Sequence, residues 1–276
     1  MALPNPDEAT TALVTGASAG LGVELARSLA RRGYGMTLVA RRADRLEELA
    51  EELRAAHRVR VEAISCDLGD PEARDHLEAS ISELGLTVGI LINNAGYGSG
   101  APFIKLQRSS EAAMVRLNCE AVVDLCGRYV PAMVERGVGG ICNVASVVAF
   151  QPVPRQATYS ASKAMVKAFT EALHAELRSS GVHVSALCPG PMKTEFVDVA
   201  AMNEAVAGVP DFAFKAPSQV AEAGIRGLIE NDRIVLPAIL DKLSAGAGAH
   251  APRGAVLRAI ERFYPVGRPS SAADRV

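Results

Sequence analysis

Neither sign of charge dominates this 276-residue chain. Its 29 basic and 31 acidic residues leave a net charge of −2, which gives no electrostatic reason to bind nucleic acid or an anionic membrane surface and points to a small ligand. The five cysteines, Cys66, Cys119, Cys126, Cys142 and Cys188, form no C-x-x-C or other metal-ligand spacing. They lie in apolar runs and read as reduced and buried, the pattern of a cytosolic protein. The five histidines lack metal spacing as well, so no metal is expected. No apolar run approaches the ~20 residues of a membrane span. The first ten residues, with Pro4, Pro6, Asp7 and Glu8, lack the basic-then-apolar order of a signal peptide. Internal repeats and low-complexity blocks are also absent. What is present is 49% apolar residues, enough for one substantial core in a soluble, cytoplasmic protein.

Strand and helix patterns alternate along the chain. Short apolar, β-branched runs at residues 11–15, 36–40, 59–66, 88–93, 141–145 and 183–187 are separated by helical patterns, including a long one over 109–136. Asp70-Pro71 marks a helix start, with an acid at the cap and proline at the first position. Continuously apolar strands are those of a parallel sheet covered on both faces. The expected fold is therefore α/β: one doubly wound Rossmann-type domain over residues 10–264, with a mostly parallel seven-stranded sheet. Within it, the irregular segment 190–216 reads as a substrate lid and 217–264 as a C-terminal extension. Residues 1–9 read as a flexible lead-in and 265–276 as a disordered tail.

Two local patterns carry chemistry. Tyr159 and Lys163, four apart near a helix start, share one face. Bringing a phenol from its usual pKa of about 10 to neutrality takes roughly 4 kcal/mol, which one ammonium about 4 Å away can supply, so the pair is expected to move protons at a substrate oxygen. The turn Gly16-Ala17-Ser18-Ala19-Gly20-Leu21-Gly22 follows the first strand and opens a helix, where backbone N–H groups and the helix dipole can hold a pyrophosphate. Asn93-Asn94-Ala95-Gly96 ends the fourth strand, Asn118 lies in the long helix and Ser146 ends the fifth strand.

In this combination the sequence resembles the short-chain dehydrogenase/reductase family over about residues 10–240. The resemblance rests on the glycine turn after Thr15, Asn93-Asn94-Ala95-Gly96, Ser146, Tyr159-x-x-x-Lys163 and Pro189-Gly190-Pro191-Met192-Lys193-Thr194, in family order and spacing. It implies hydride transfer between a nicotinamide and a carbonyl or alcohol carbon. Tyr159 would be the proton donor, Lys163 the ribose-binding group that lowers its pKa, Ser146 the carbonyl-orienting hydroxyl and Asn118 a water-holding amide. It further implies cofactor contacts from Gly16, Ser18, Ala19, Gly20, Leu21 and Gly22, from Asn94, Ala95 and Gly96, and from Pro189, Gly190 and Thr194. Asp67 and Leu68 fall near the adenine, although Asp67 could equally cap the turn before Asp70. Arg41 and Arg42 stand where an NAD-selective fold puts an acid for the ribose 2′-hydroxyl, which favours NADP over NAD.

The apolar residues after Ser146 (Val147, Val148, Ala149, Phe150) and within the lid (Phe196, Val197, Val199, Met202, Val206, Phe212, Phe214) point to an apolar ketone or aldehyde. A 3-oxoacyl thioester reductase and a hydroxysteroid-type dehydrogenase are alternatives. A dinucleotide-binding scaffold or redox sensor is the non-enzymatic one. The resemblance also implies a homodimer or homotetramer built on helices near 109–136 and 158–180.

Overall fold

The computed structural model describes residues 3–192, 194–195 and 214–263. Its elements run β1 (Thr10–Thr15), α1 (Gly20–Ala30), β2 (Gly35–Ala40), α2 (Ala43–His57), β3 (Val61–Ser65), α3 (Pro71–Glu83), β4 (Thr87–Asn93), α4 (Arg108–Val115), α5 (Ala121–Arg136), β5 (Gly139–Val144), α6 (Ala157–Glu176), β6 (Val182–Leu187), α7 (Pro217–Glu230), β7 (Ile234–Val235), α8 (Ile239–His250) and α9 (Arg253–Phe263). All seven strands form one sheet in the order β3-β2-β1-β4-β5-β6-β7. Every neighbouring pair is parallel. The order reverses between β1 and β4, which leaves a crevice beyond their carboxyl ends, the place where open α/β sheets bind ligands.

The sheet is covered on both faces because its strands are apolar on both. Ala12, Val14, Leu38, Ile90 and Ile92 join Leu21, Leu25 and Leu29 of α1, Leu46 and Leu53 of α2 and Ile225 and Leu228 of α7 in one layer. The intervening residues Leu13, Val39, Leu91 and Ile141 meet Leu77 and Ile81 of α3 and Leu125 and Met133 of α5 in the other. Period-two alternation thus serves two cores at once. Asp70 caps α3 by accepting the Glu72 N–H at 3.0 Å, with Pro71 at the first helical position.

Three local features add to the expected pattern. The helix expected over 109–136 is interrupted by a π turn, Arg116–Glu120, between α4 and α5. In the lead-in, Leu3 is buried in the first core layer, residues 5–9 are exposed, and the Ala9 carbonyl accepts the Thr87 N–H at 2.8 Å. Arg74 is buried, with its guanidinium held by Glu120 and Asp124 at 2.7 Å each and by the Leu68 carbonyl at 2.7 Å. Residues 196–213 of the expected lid, and the expected tail, lie outside the described residues. Among the described residues no helix is long and apolar enough to cross a membrane, and no group of His, Cys, Asp and Glu is arranged to hold a metal ion. The five cysteines are buried and free.

Candidate active site

The crevice is built from its floor upward. Thr15, the last residue of β1, donates its hydroxyl to the Ile92 carbonyl and accepts the N–H groups of Asn94 and Ala95 at 2.9 and 3.0 Å. The Asn94 amide returns to the Thr15 and Gly16 carbonyls at 2.9 and 3.3 Å. These bonds press residues 94–96 against the glycine turn. Gly16 has φ +66°, and a Cβ there would lie 2.8 Å from Asn94 Nδ2; a Cβ on Gly22 would lie 2.2 Å from the Gly16 carbonyl oxygen. The turn can close this tightly only with glycine at both positions. It leads into α1, whose cap residue Ala19 supplies no side-chain bond and whose first turn has no acid, so its N–H groups stay open to an anion.

Arg42 stands over this turn. It donates to the Ser18 hydroxyl at 3.2 Å and to the Ser18 carbonyl at 3.1 Å, and its remaining nitrogen meets Glu195 at 3.0 Å. Glu195 also pairs with Arg45 at 2.7 Å, and the two guanidinium groups hold its carboxyl below the usual glutamate range. Of the expected pair, Arg42 bonds the glycine turn through Ser18 and Arg41 is exposed. Asp67 accepts the Gly69 N–H at 3.0 Å, the turn-capping role, while Leu68 is buried beside it. Thr194 sits against the turn's other side, 3.3 Å from where a Cβ on Gly20 would be.

On the opposite wall, Ser146 and Tyr159 are hydrogen-bonded to each other. Ser146 also accepts the Val148 N–H at 3.3 Å and donates to the Pro189 carbonyl at 3.4 Å. Burial pushes the Tyr159 phenol up to about 12, opposed by the Ser146 bond. Burial is the larger cause and the Ser146 bond the smaller, opposing one, so the direction is upward where the four-residue spacing led to the expectation of a lowering. Lys163 is only 5% exposed. Burial lowers its ammonium to about 8, and among the described residues it donates to the Val144 carbonyl at 2.7 Å. An ammonium carries three donors, and no carboxylate meets this one among the described residues.

Asn118 reaches the site because the π turn widens the helix around it. Its oxygen accepts the Tyr97 N–H at 3.2 Å, and its amide donates to the Tyr97 carbonyl at 2.9 Å and to Ser162 at 3.0 Å. Both amide hydrogens are committed to protein, so the side chain's work here is to tie the loop after Gly96 to α6, and little of it is left to hold water. A Cβ on Gly96 would come within 2.8 Å of Asn118 Oδ1 and 3.5 Å of Lys163 Nζ, which places residues 94–96 directly beside the ammonium.

The residues present suit a dinucleotide. They provide a glycine cradle too tight for a side chain, a helix start with open N–H groups, an arginine over the turn and a buried ammonium with donors to spare. Sequence reasoning missed Tyr97, Glu195 and Asp241, the last a buried acid of α8. None stands in a motif, and their partners are distant in the chain.

The short chain dehydrogenase family model matches residues 10–205. Very-long-chain 3-oxoacyl-CoA reductase-B of Danio rerio is 33% identical over 182 residues, covering 64% of this chain and 58% of the relative, so the chain spans less than two thirds of that protein's length. A short-chain dehydrogenase from Sphingobium yanoikuyae, solved in complex with NADPH, aligns with TM-score 0.78 at 32% identity over 97% of this chain and 99% of its own. The bulky-bulky ketone specific alcohol dehydrogenase from Comamonas testosteroni aligns with TM-score 0.73 at 28% identity over 98% of this chain and 99% of its own. The chain belongs to the short-chain dehydrogenase family.

Proposed function

We propose that this protein is an NADP(H)-dependent oxidoreductase that interconverts an apolar ketone or aldehyde and its alcohol. The observation that carries the reading is the hydrogen-bonded Ser146–Tyr159 pair, buried one helical turn from the Lys163 ammonium, which stands beside Gly96 and, among the described residues, donates to the Val144 carbonyl. When bound, the nicotinamide supplies or accepts the hydride. Tyr159 gives its proton to the substrate oxygen as charge develops there, and Ser146 orients and stabilises that oxygen. Lys163 holds the ribose with its spare donors and adds positive charge near the phenol. The glycine turn, Gly16 to Gly22, would hold the pyrophosphate, while Asn94, Ala95, Gly96, Pro189, Gly190 and Thr194 would border the nicotinamide side. Asn118 positions the loop after Gly96. Oxidation of NADPH against a panel of ketones tests the reading; a parent protein inert toward all of them contradicts it.

Arg42 supports NADP because its guanidinium stands at the turn where a 2′-phosphate would lie, and the Sphingobium neighbour was solved with NADPH bound. A charged hydrogen bond of this kind is worth about 1.5–3 kcal/mol. NADPH should therefore exceed NADH in kcat/KM by at least about tenfold. Arg42→Asp should abolish or reverse the ratio, and Arg41→Asp should change it less; an unchanged ratio in Arg42→Asp would show that the guanidinium does not meet the cofactor.

The substrate side is apolar. Val147, Val148, Ala149 and Phe150, which follow Ser146 in the chain, are half-buried, Phe214 is half-buried too, and the Comamonas neighbour's name specifies bulky ketones. Each methylene entering such a pocket adds about 0.8 kcal/mol. Along a series of alkyl aryl ketones kcat/KM should then rise about fourfold per methylene, and a flat series would show that these residues do not line the site. A 3-oxoacyl thioester is the second reading, favoured by the Danio relative's name. A cytoplasmic location and a homo-oligomer complete the proposal. Val115, Val123, Val134 and Met165 are exposed on α4, α5 and α6, an apolar face suited to a second copy of the chain.

A further inference from the structure

The C-terminal extension sends one carboxylate beneath the candidate site. Asp241, in the first turn of α8, is 5% exposed. One of its oxygens accepts the Ala238 N–H at 3.0 Å, and the carboxylate also accepts the backbone N–H of Gly190. The approach is close enough that a Cβ on Gly190 would lie 2.2 Å from Asp241 Oδ1. The carbonyl of the same peptide unit, that of Pro189, accepts the Ser146 hydroxyl at 3.4 Å and the Val147 N–H at 3.0 Å. Ser146 in turn is bonded to Tyr159. Asp241, the peptide unit joining Pro189 to Gly190, Ser146 and Tyr159 therefore stand in one line from the extension to the phenol.

Taking the site as a carbonyl-reducing centre, we propose that Asp241 is a positioning residue for Ser146, acting through the peptide unit that joins Pro189 to Gly190. That unit is planar and turns as one body. Pinning its N–H on one side fixes the direction of its carbonyl on the other, and a negatively charged acceptor polarises the unit so that the carbonyl accepts more strongly. The Ser146 contact is long for a hydroxyl donor. The hydroxyl is thus aimed without being locked, and can turn to a substrate oxygen. Burying a carboxylate costs several kcal/mol unless it is well bonded, and capping α8 at Ala238 would use only part of its capacity. Lys215 is the charged group that faces it. The extension also braces the turn after Ser146, since Arg253 at the start of α9 donates to the carbonyls of Phe150 and Gly248 at 3.1 and 3.2 Å.

A double-mutant cycle on the full chain, with NADPH and an aryl ketone, separates positioning from mere capping of α8. Asp241→Ala should lower kcat by at least about tenfold while the NADPH dissociation constant stays within about twofold. Asp241→Asn keeps one acceptor oxygen and should recover part of the loss. In a Ser146→Ala background the further change Asp241→Ala should cost no more than about twofold, because the group it acts through is gone. In the dinucleotide-free protein, the Gly190 amide should exchange with deuterium at least about tenfold faster in Asp241→Ala. A parental kcat in Asp241→Ala, or an equal loss in both backgrounds, overturns the proposal. If Asp241→Ala does not fold, Asp241→Asn carries the same comparisons. A parent that oxidises no NADPH with any ketone overturns the functional reading and the proposal together, whereas an active parent with an additive cycle overturns the proposal alone.

Discussion

Tyr159→Phe is expected to bind NADPH within about twofold of the parent and to lose about a thousandfold in kcat, the middle of the range that general acid catalysis contributes. The ring is buried and its packing survives the substitution, while the transferable proton and the partner of the Ser146 hydroxyl both go. The direction of the pH dependence follows from the same burial. A phenol held up at about 12 is protonated throughout the neutral range, so it is ready to donate in reduction. Alcohol oxidation needs it ionised and should accelerate as pH rises. Steady-state rates of the two proteins, with NADPH affinity followed by fluorescence, check the expectation; comparable turnover removes Tyr159 from the role of acid.

Lys163→Met is expected to move activity and stability in opposite directions. The variant loses the donors proposed for the ribose and the charge near Tyr159, so NADPH affinity and kcat should both fall, kcat by about a hundredfold or more. Without dinucleotide, however, the parent bears the cost of a buried ammonium. Burial lowers Lys163 from 10.5 to about 8, equivalent to roughly 3 kcal/mol of destabilisation at neutral pH. The lost charged bond to the Val144 carbonyl gives back about 2 kcal/mol, leaving a net gain of about 1 kcal/mol and a Tm higher by about 3 °C. Because the folded pKa lies below the unfolded one, the penalty is full below pH 8 and vanishes as pH approaches 10.5. The Tm advantage should therefore shrink over that window. Thermal melts of the dinucleotide-free proteins across it check the sign; a variant less stable than the parent at pH 7 would show that the ammonium is better satisfied than its contacts indicate.

The alternation of strands and helices was legible because each element carries a local signal: continuous apolar runs in the strands, and Asp70-Pro71 at the start of α3. Ser146, Tyr159 and Lys163 were legible for the same reason, since they lie just past the end of β5 or on one helix face and reach the crevice from elements the pattern already marked. What escaped depends on distance in the chain. The π turn around Asn118 is a backbone widening with no composition of its own. Arg74 reads as a solvated helix residue until α5 brings Glu120 and Asp124 against it. Arg42 is distinguished from Arg41 only by Glu195 and Ser18, and Asp241 acquires its meaning only when the chain after β6 meets α8. Spacing alone reports a neighbouring charge near the phenol and says nothing of the water removed around it, which is the larger cause of its shift here.

The central claim is that the chain carries out hydride transfer to a carbonyl carbon, and isotope transfer tests it most directly. The protein is incubated with NADPH bearing deuterium on one face of the nicotinamide C4 and with an alkyl aryl ketone, each face being labelled in turn, and the alcohol is analysed by NMR. Hydride transfer predicts one deuterium on the carbinol carbon from one labelled face and none from the other. No alcohol, or an alcohol whose carbinol hydrogen comes from solvent with either label, would contradict it.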